Sequence, residues 1–435
     1  MSEPLRFGVF LAPYHPDDES PTLQIRRDLD LAVQLDDLGF DELWVGEHHS
    51  ASFETIASPE IFIAGAAERT RRIRLGTGVV SLPYHHPLML ADRMTQLDHQ
   101  TQGRTIFGVG PGQLPSDAYM LGIDVALQRH RMNEALEVLI PLLRGETVTR
   151  RTDWFELEEA RVQLGPYSHP ALEMAVAAAI SPSGPRAAGM HGLGMLSLAA
   201  TSGEGFDILP RHWDVCEAMA EESGQHVDRR NWRLVAPMHL AETREQARAD
   251  MEHGLLKLVR YFGRLGNQEL PYEHSVDAAI EQWTERGLTL LGCAVIGTPD
   301  DAVAQIRRLE ERSGGFGTFL LVAHDCADPQ RTRKSYELFA HYVIPALRDA
   351  NRNRSASLEW FRRNSRRVVG DLRKALGNAI EVHEEERRKA GKGVAWNDAR
   401  DLLVGDDSNS HEAKDSTAAE PEERRPKAHP TDGEG

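Results

Sequence analysis

Cysteine is scarce, with Cys216, Cys293 and Cys326 the three in 435 residues. Their spacing supports neither a disulfide framework nor a cysteine-built zinc centre, and a reducing cytoplasm is the expected compartment. Long apolar runs are missing: none approaches the roughly 18 residues of a membrane span. The opening stretch MSEPLRFGVF lacks the basic-then-apolar order of a secretory leader. Positive charge is short too, with 50 Lys and Arg against 67 Asp and Glu, a formal net charge of −17. That balance argues against nucleic acid or an anionic membrane as the main partner. What remains is ordinary: hydrophobic residues at 40%, together with 36 glycines, describe a globular chain with a sizeable core.

The charge is unevenly placed. Residues 351–435 hold 17 charges of each sign, so residues 1–350 carry the whole negative excess. Between Asn351 and Lys374 eight basic residues face two acids, and Leu358, Phe361, Val368, Leu372, Leu376 and Ile380 recur at helical spacing. A helical extension over 351–403 is expected. From residue 404 the chain has almost no core-forming side chains and reads as a disordered tail over 404–435.

Residues 1–350 alternate short apolar runs with helical patterns. Strands are expected at Leu5–Ala12, Glu42–Gly46, Ile73–Val80, Arg104–Gly110, Glu173–Ala179, Met195–Ala200, Arg233–Leu240 and Thr318–Val322. Ser20-Pro21 and Ser58-Pro59 supply helix starts, and Gly39 a helix stop. In the first helix Ile25, Leu29, Ala32, Leu35 and Leu38 form the expected buried stripe. Eight strand–helix units suggest an α/β (β/α)8 TIM barrel of right-handed crossovers. Its excess length goes to insertions, for which Gly145–Pro166, reading as a hairpin, and Tyr261–Gly292 are candidates. A doubly wound open sheet is the alternative with the same alternation.

In a parallel barrel, chemistry belongs on the loops after the strands' C-terminal ends. There the sequence places Tyr14-His15, Glu47-His48-His49, Tyr84-His85-His86 and His324-Asp325. The stretch Phe107–Gly112 (FGVGPG) has the wrong glycine spacing for a dinucleotide turn, and Pro111 removes a donor such a turn would use. It and Leu75–Val80 (LGTGVV) read as places where a flat ligand or another backbone approaches the sheet. After the fifth strand, Ser181-Pro182-Ser183-Gly184 opens a helix. Its free N–H groups and hydroxyls could hold a phosphate, or Ser181 could simply cap the helix.

Taken in order, RFGVFLAPY, LDDLGFDELWVGEHH, LGTGVVSLPYHHPLMLADRMTQLDHQTQGRTIFGVGPG and GTPDDAVAQIRRLEERSGGFGTFLLVAHD resemble the bacterial luciferase-like flavin-dependent monooxygenase family over roughly residues 5–348. Within it the pattern looks most like members of the limonene monooxygenase type, which act on hydrophobic, terpene-like molecules. The resemblance implies His48 as the catalytic histidine, with His49 beside it. It places Glu47, Thr77, Gly78 and Val79 along the flavin ring, with a non-proline cis peptide at Gly78-Val79 in some relatives, and it puts Ala178 in contact with the cofactor. Gly110 falls where luciferases proper carry a cysteine, and Pro111 replaces the phosphate-binding arginine that follows it. Phosphate binding is then expected from Arg129, Ser181, Ser183 and Gly184.

The implied activity is oxygenation by reduced FMN, or FAD, and O2 through a flavin hydroperoxide. His48 suits proton handling there because its charge changes near neutral pH. Loop position assigns Tyr14, Leu82, Tyr84 and Trp213 to the substrate. The absence of a dinucleotide fingerprint makes a separate NAD(P)H:flavin reductase the expected electron donor, and the basic extension against an acidic barrel suggests a homodimer. Three rivals carry different expectations. A deazaflavin-dependent enzyme would transfer hydride, and a non-catalytic relative would only bind flavin. A metal-dependent barrel hydrolase would need an H-x-H pair after the first strand, where His15 stands alone.

Overall fold

The computed structural model of the chain describes residues 4–52, 54–288 and 291–393. Eight parallel strands form its centre: β1 (Arg6–Tyr14), β2 (Glu42–Val45), β3 (Arg74–Thr77), β4 (Thr105–Gly110), β5 (Met174–Ala178), β6 (Gly194–Ser197), β7 (Trp232–Leu240) and β8 (Thr318–His324). Each pairs with its neighbour in sequence, and β8 returns to β1, so the sheet closes into the expected (β/α)8 barrel.

Both faces of these strands are apolar, as a buried parallel sheet requires. Along β1, Phe7, Val9 and Leu11 point out to the helices, while Phe10 and Ala12 point into the barrel. The interior layer adds Trp44, Ile106, Ala175, Leu196, Val235, Leu320 and Val322. Trp44 explains two strand glycines. A Cβ at Gly76 or Gly108 would come within 2.7 or 2.6 Å of its indole. The lower barrel is plugged by Arg233, fully buried, which donates to Glu42 and Glu173 and lies 5.2 Å over the Trp44 ring. Such a buried charge persists because it is fully paired.

The first helix, Pro21–Leu38, corrects the stripe expected for it. Gln24, Asp28 and Asp36 are buried with Ala32 and Leu35, and Ile25 is 37% exposed. This face packs on loops whose polar groups need partners. Gln24 donates to the Pro16 carbonyl, Asp28 meets His15, and Asp36 accepts the N–H groups of Arg71, Arg72 and Ile73. Ser20 and Ser58 precede their helices without capping hydroxyl bonds, so the prolines at the first turn set those starts.

Both expected insertions hold secondary structure. Val148–Arg151 and Glu156–Ala160 form an antiparallel hairpin. Helices Leu255–Leu265 and Val276–Glu285 precede a short strand, Val295–Gly297, on β7. They carry an apolar cluster of their own, including Leu258, Tyr261, Ile280 and Trp283.

The chain divides into two compact units that meet between Asn351 and Arg352. The second unit contains one long helix, Arg352–Lys389. On it Leu358, Phe361, Val368, Leu372 and Leu376 are exposed. The tail expected over 404–435, and the extension beyond residue 393, lie outside the described residues. No helix among the described residues is long and apolar enough to cross a membrane.

Candidate active site

At the C-terminal ends of the strands lies a cavity of about 250 Å³. Phe10, Ala12, Val79, Ala177, Ala179 and Leu198 give it apolar walls from the barrel. Tyr261, Phe262, Leu265 and Leu291 cover it from the second insertion, and Tyr14, Glu47, His48 and Glu54 form its polar corner.

The loop after β2 supplies that corner. The buried Glu47 carboxylate accepts from the Ser81 N–H at 2.6 Å and pairs with His85 Nε2 at 2.7 Å and His49 Nε2 at 3.1 Å. Burial alone would raise its pKa. The bonds from His49 and His85 outweigh that and hold it below the usual carboxylate range. The same bond raises the pKa of His49. His48 is held differently, with Nδ1 3.1 Å from Asp117 and Nε2 3.2 Å from Glu54. Asp117 is buried and also accepts from the His49 N–H and the Ser50 hydroxyl. Burial, together with the Asp117 charge, raises the pKa of Glu54.

Gly78 and Val79 form part of the wall, and the peptide bond between them is cis. Thr77 is buried and donates to the Gly108 carbonyl at 2.7 Å, tying β3 to β4 away from the cavity. Gly110 sits behind Val79, where a Cβ would come 2.6 Å from its Cγ2. Ala178 points to the outer apolar layer, while Ala177 and Ala179 face the cavity. Strand parity therefore shifts that expected contact by one residue. Ser181 and Ser183 share a hydroxyl bond of 2.8 Å at the start of helix Ser183–His191. Gly184 lets that helix press on β5, because a Cβ there would lie 2.3 Å from the Ala177 carbonyl. Beneath this turn, buried His212 has Nε2 3.3 Å from the Ile180 carbonyl, and its Nδ1 lacks a partner. Arg129 is exposed in the first turn of helix Gln128–Leu143.

Of the expected substrate residues, Tyr14 lines the cavity and the other three do not. Leu82 is fully buried in the outer core. Tyr84 stands just behind the wall, with its hydroxyl accepting from Gln128 at 2.9 Å and its ring 5.9 Å from His49. Trp213 is 4% exposed and stacks on Trp232 at 5.4 Å, with Arg229 4.6 Å from its ring and 5.7 Å from that of Trp232. Trp232 opens β7, so Trp213 belongs to the opposite end of the barrel. Sequence reasoning also missed Glu54, Asp117 and the covering residues Tyr261, Phe262 and Leu265. Glu54 and Asp117 lie in loops or a short helix without periodicity, and the pairing with His48 is tertiary. Among the described residues, the metal-capable groups that converge are Glu269, Glu273 and His274, none of them on the cavity wall.

A model of the luciferase-like monooxygenases matches residues 5–315. The chain belongs to the luciferase-like monooxygenase family. Limonene 1,2-monooxygenase of Rhodococcus erythropolis is 48% identical over 386 residues, spanning 88% of this chain and 96% of that protein. A 4-hydroxyprotoasukamycin monooxygenase of Streptomyces nodosus subsp. asukaensis is 45% identical over 368 residues, spanning 84% and 98%. Among solved structures, the oxygenating constituent of 3,6-diketocamphane monooxygenase of Pseudomonas putida is a type II Baeyer-Villiger monooxygenase in complex with FMN. It matches with a TM-score of 0.64 at 26% identity, covering 78% of this chain and 98% of that one. This luciferase-like monooxygenase is therefore an enzyme.

Proposed function

We propose that this enzyme uses reduced FMN and O2 to oxygenate a small hydrophobic, terpene-like molecule in the cavity at the barrel mouth. The observation that carries the reading is the cavity's division into broad apolar walls and a single polar corner at His48. Apolar walls recognise a substrate with few polar groups, and one polar corner fixes its orientation.

The residues fit a flavin. Val79 and Ala177 offer flat apolar contacts, and Gly78 and Gly110 keep side-chain bulk from the same stretch of wall. The Ser181/Ser183 hydroxyls and the helix they open suit the phosphate. Arg129 adds a cation. FMN is favoured over FAD by the FMN complex of the solved relative. When bound, the reduced flavin supplies the electrons that activate O2. The protein's own part is to orient, to exclude water and to place a proton. Tyr261, Phe262 and Leu265 cover the cavity, Glu47 fixes His49 and His85, and Asp117 orients His48 through Nδ1. A separate NAD(P)H:flavin reductase delivers the electrons, and the site of action is the cytoplasm.

Replacing His48 tests the reading. His48→Ala is expected to bind FMN while product formed per O2 consumed falls by about 10²-fold, the smaller end of a general acid–base contribution, with hydrogen peroxide appearing instead. Unchanged coupling would remove His48 from the chemistry. Turnover of cyclic terpenes with a deazaflavin in place of FMN, and without O2, would replace oxygenation by hydride transfer.

A further inference from the structure

We propose that Glu54 is the cavity-side proton carrier of the site, sharing one proton with His48 Nε2 and releasing it to an oxygen that gains negative charge in the cavity. The inference deepens the oxygenation reading and rests on it for the acceptor, while the pairing of Glu54 with His48 at the cavity wall stands on the geometry alone.

Asp117 is an acceptor three times over, from the His49 N–H, from the Ser50 hydroxyl and from His48 Nδ1. A proton on His48 Nδ1 completes this set, with Asp117 accepting through both of its oxygens. The other ring nitrogen, Nε2, meets a Glu54 oxygen at 3.2 Å. At that ion-pair distance one proton between the two groups keeps the contact attractive, whether it rests on the Glu54 carboxyl beside a neutral imidazole or on the imidazolium beside a carboxylate. Glu54, His48 and Tyr14 all line the cavity. The charged and titratable groups facing Glu54 are therefore Tyr14 at the end of β1, His48 in its own loop and Asp117 from helix Pro115–Met120. Burial and the nearby Asp117 favour the protonated carboxyl, and His48 in its charged form opposes them.

Release breaks the Glu54 O–H bond and forms one bond from that proton to the acceptor oxygen. Glu54 is left as a carboxylate beside a neutral His48 that keeps its Nδ1 proton on Asp117, and one proton from solvent restores the pair. No electrons move in this step. Glu54 is thus distinct in role from Asp117, which holds the ring but has no opening to the cavity wall.

Glu54→Gln keeps the size of the side chain and can donate to Nε2, but holds no exchangeable acid. In the flavin-free protein, the ¹⁵N resonance of His48 Nε2 in Glu54→Gln should stay that of an unprotonated nitrogen at pH values where the wild type shows a partly protonated one. In the FMN-loaded enzyme, product per O2 should fall about tenfold or more and lose the pH dependence of the wild type. Glu54→Asp should restore part of that dependence. An Nε2 signal that titrates identically in wild type and Glu54→Gln overturns the shared proton whether or not the enzyme is an oxygenase. An altered signal with unchanged coupling in an active oxygenase overturns the proton release. Failure of the oxygenation reading shows separately, as no O2-dependent product from the wild type.

Discussion

His15 is caught between two carboxylates, with Nε2 2.8 Å from Asp28 and Nδ1 2.5 Å from Asp325. Burial alone would lower its pKa, but the hydrogen bonds to Asp28 and Asp325 raise it from 6.5 to about 9. A histidine raised in the folded state contributes stability that is complete below its unfolded pKa of about 6.5 and is lost as pH rises through about 9. The effect is up to about 3 kcal/mol, at 1.36 kcal/mol per unit. Urea melts at pH 6.5 and pH 9.5 should show wild type losing stability relative to His15→Gln across that window. A parallel loss in both proteins would mean that the two bonds contribute nothing. In the sequence His15 and His48 looked alike, each a histidine after a barrel strand. Their partners separate them. His15 ties the β1 loop to the first helix and to β8, whereas His48 lines the cavity. Those partners lie 13 and 310 residues from His15, and 69 from His48, beyond any local signal.

Apart from Leu291, the cavity's cover comes from one helix of the second insertion. Leu255–Leu265 buries Leu258, Val259 and Tyr261 in its own cluster and presents Phe262 and Leu265 to the cavity. Phe262 also meets Tyr14 edge-on at 5.8 Å. Because a ring or isobutyl group on the substrate gains about 1–3 kcal/mol from such contact, Phe262→Ala should raise KM for a hydrophobic substrate about tenfold. Unaltered KM across a series of growing terpene skeletons would show that this helix does not touch substrate. The insertion was legible in the sequence as surplus length between the seventh and eighth strands. Its contact with the site was not, because an amphipathic helix announces that it has a buried face without saying what the face is buried against. The fifth strand fails in a narrower way. Its run Met174–Ala178 fits a strand, but whether Ala177 or Ala178 faces inward depends on register against β4 and β6.

For the whole molecule, the closed barrel carries the charge excess, and the helix Arg352–Lys389 begins with a strongly basic segment. We propose that this helix joins two copies of the chain, opposite charge setting the register and the exposed Leu358, Phe361, Leu372 and Leu376 supplying apolar contact. A chain ending at Asn351 should retain cooperative unfolding and FMN binding but sediment as a monomer where the full-length protein sediments as a dimer. A truncated chain that still sediments as a dimer would remove the helix from the interface. The truncation spares the closing contacts of the barrel, since Arg348 still binds the Leu5 carbonyl and Asp41.

The sequence by itself determined the order of eight strands, their insertions and the cluster of Glu47, His48 and His49 at a strand end. Those are properties of local periodicity, of proline and glycine punctuation, and of a parallel barrel's habit of gathering loops at one end. Tertiary structure alone decided which residues share the cavity. It removed Leu82 and Trp213 to the packed layers and set Tyr84 behind the wall. It brought Glu54 and Asp117 to opposite nitrogens of one imidazole and laid Phe262 over the opening. The physical reason is that a strand's alternation fixes two faces without labelling them. Closing the barrel labels one face as core and the strand ends as site, and contacts between distant loops then assign each charge its partner.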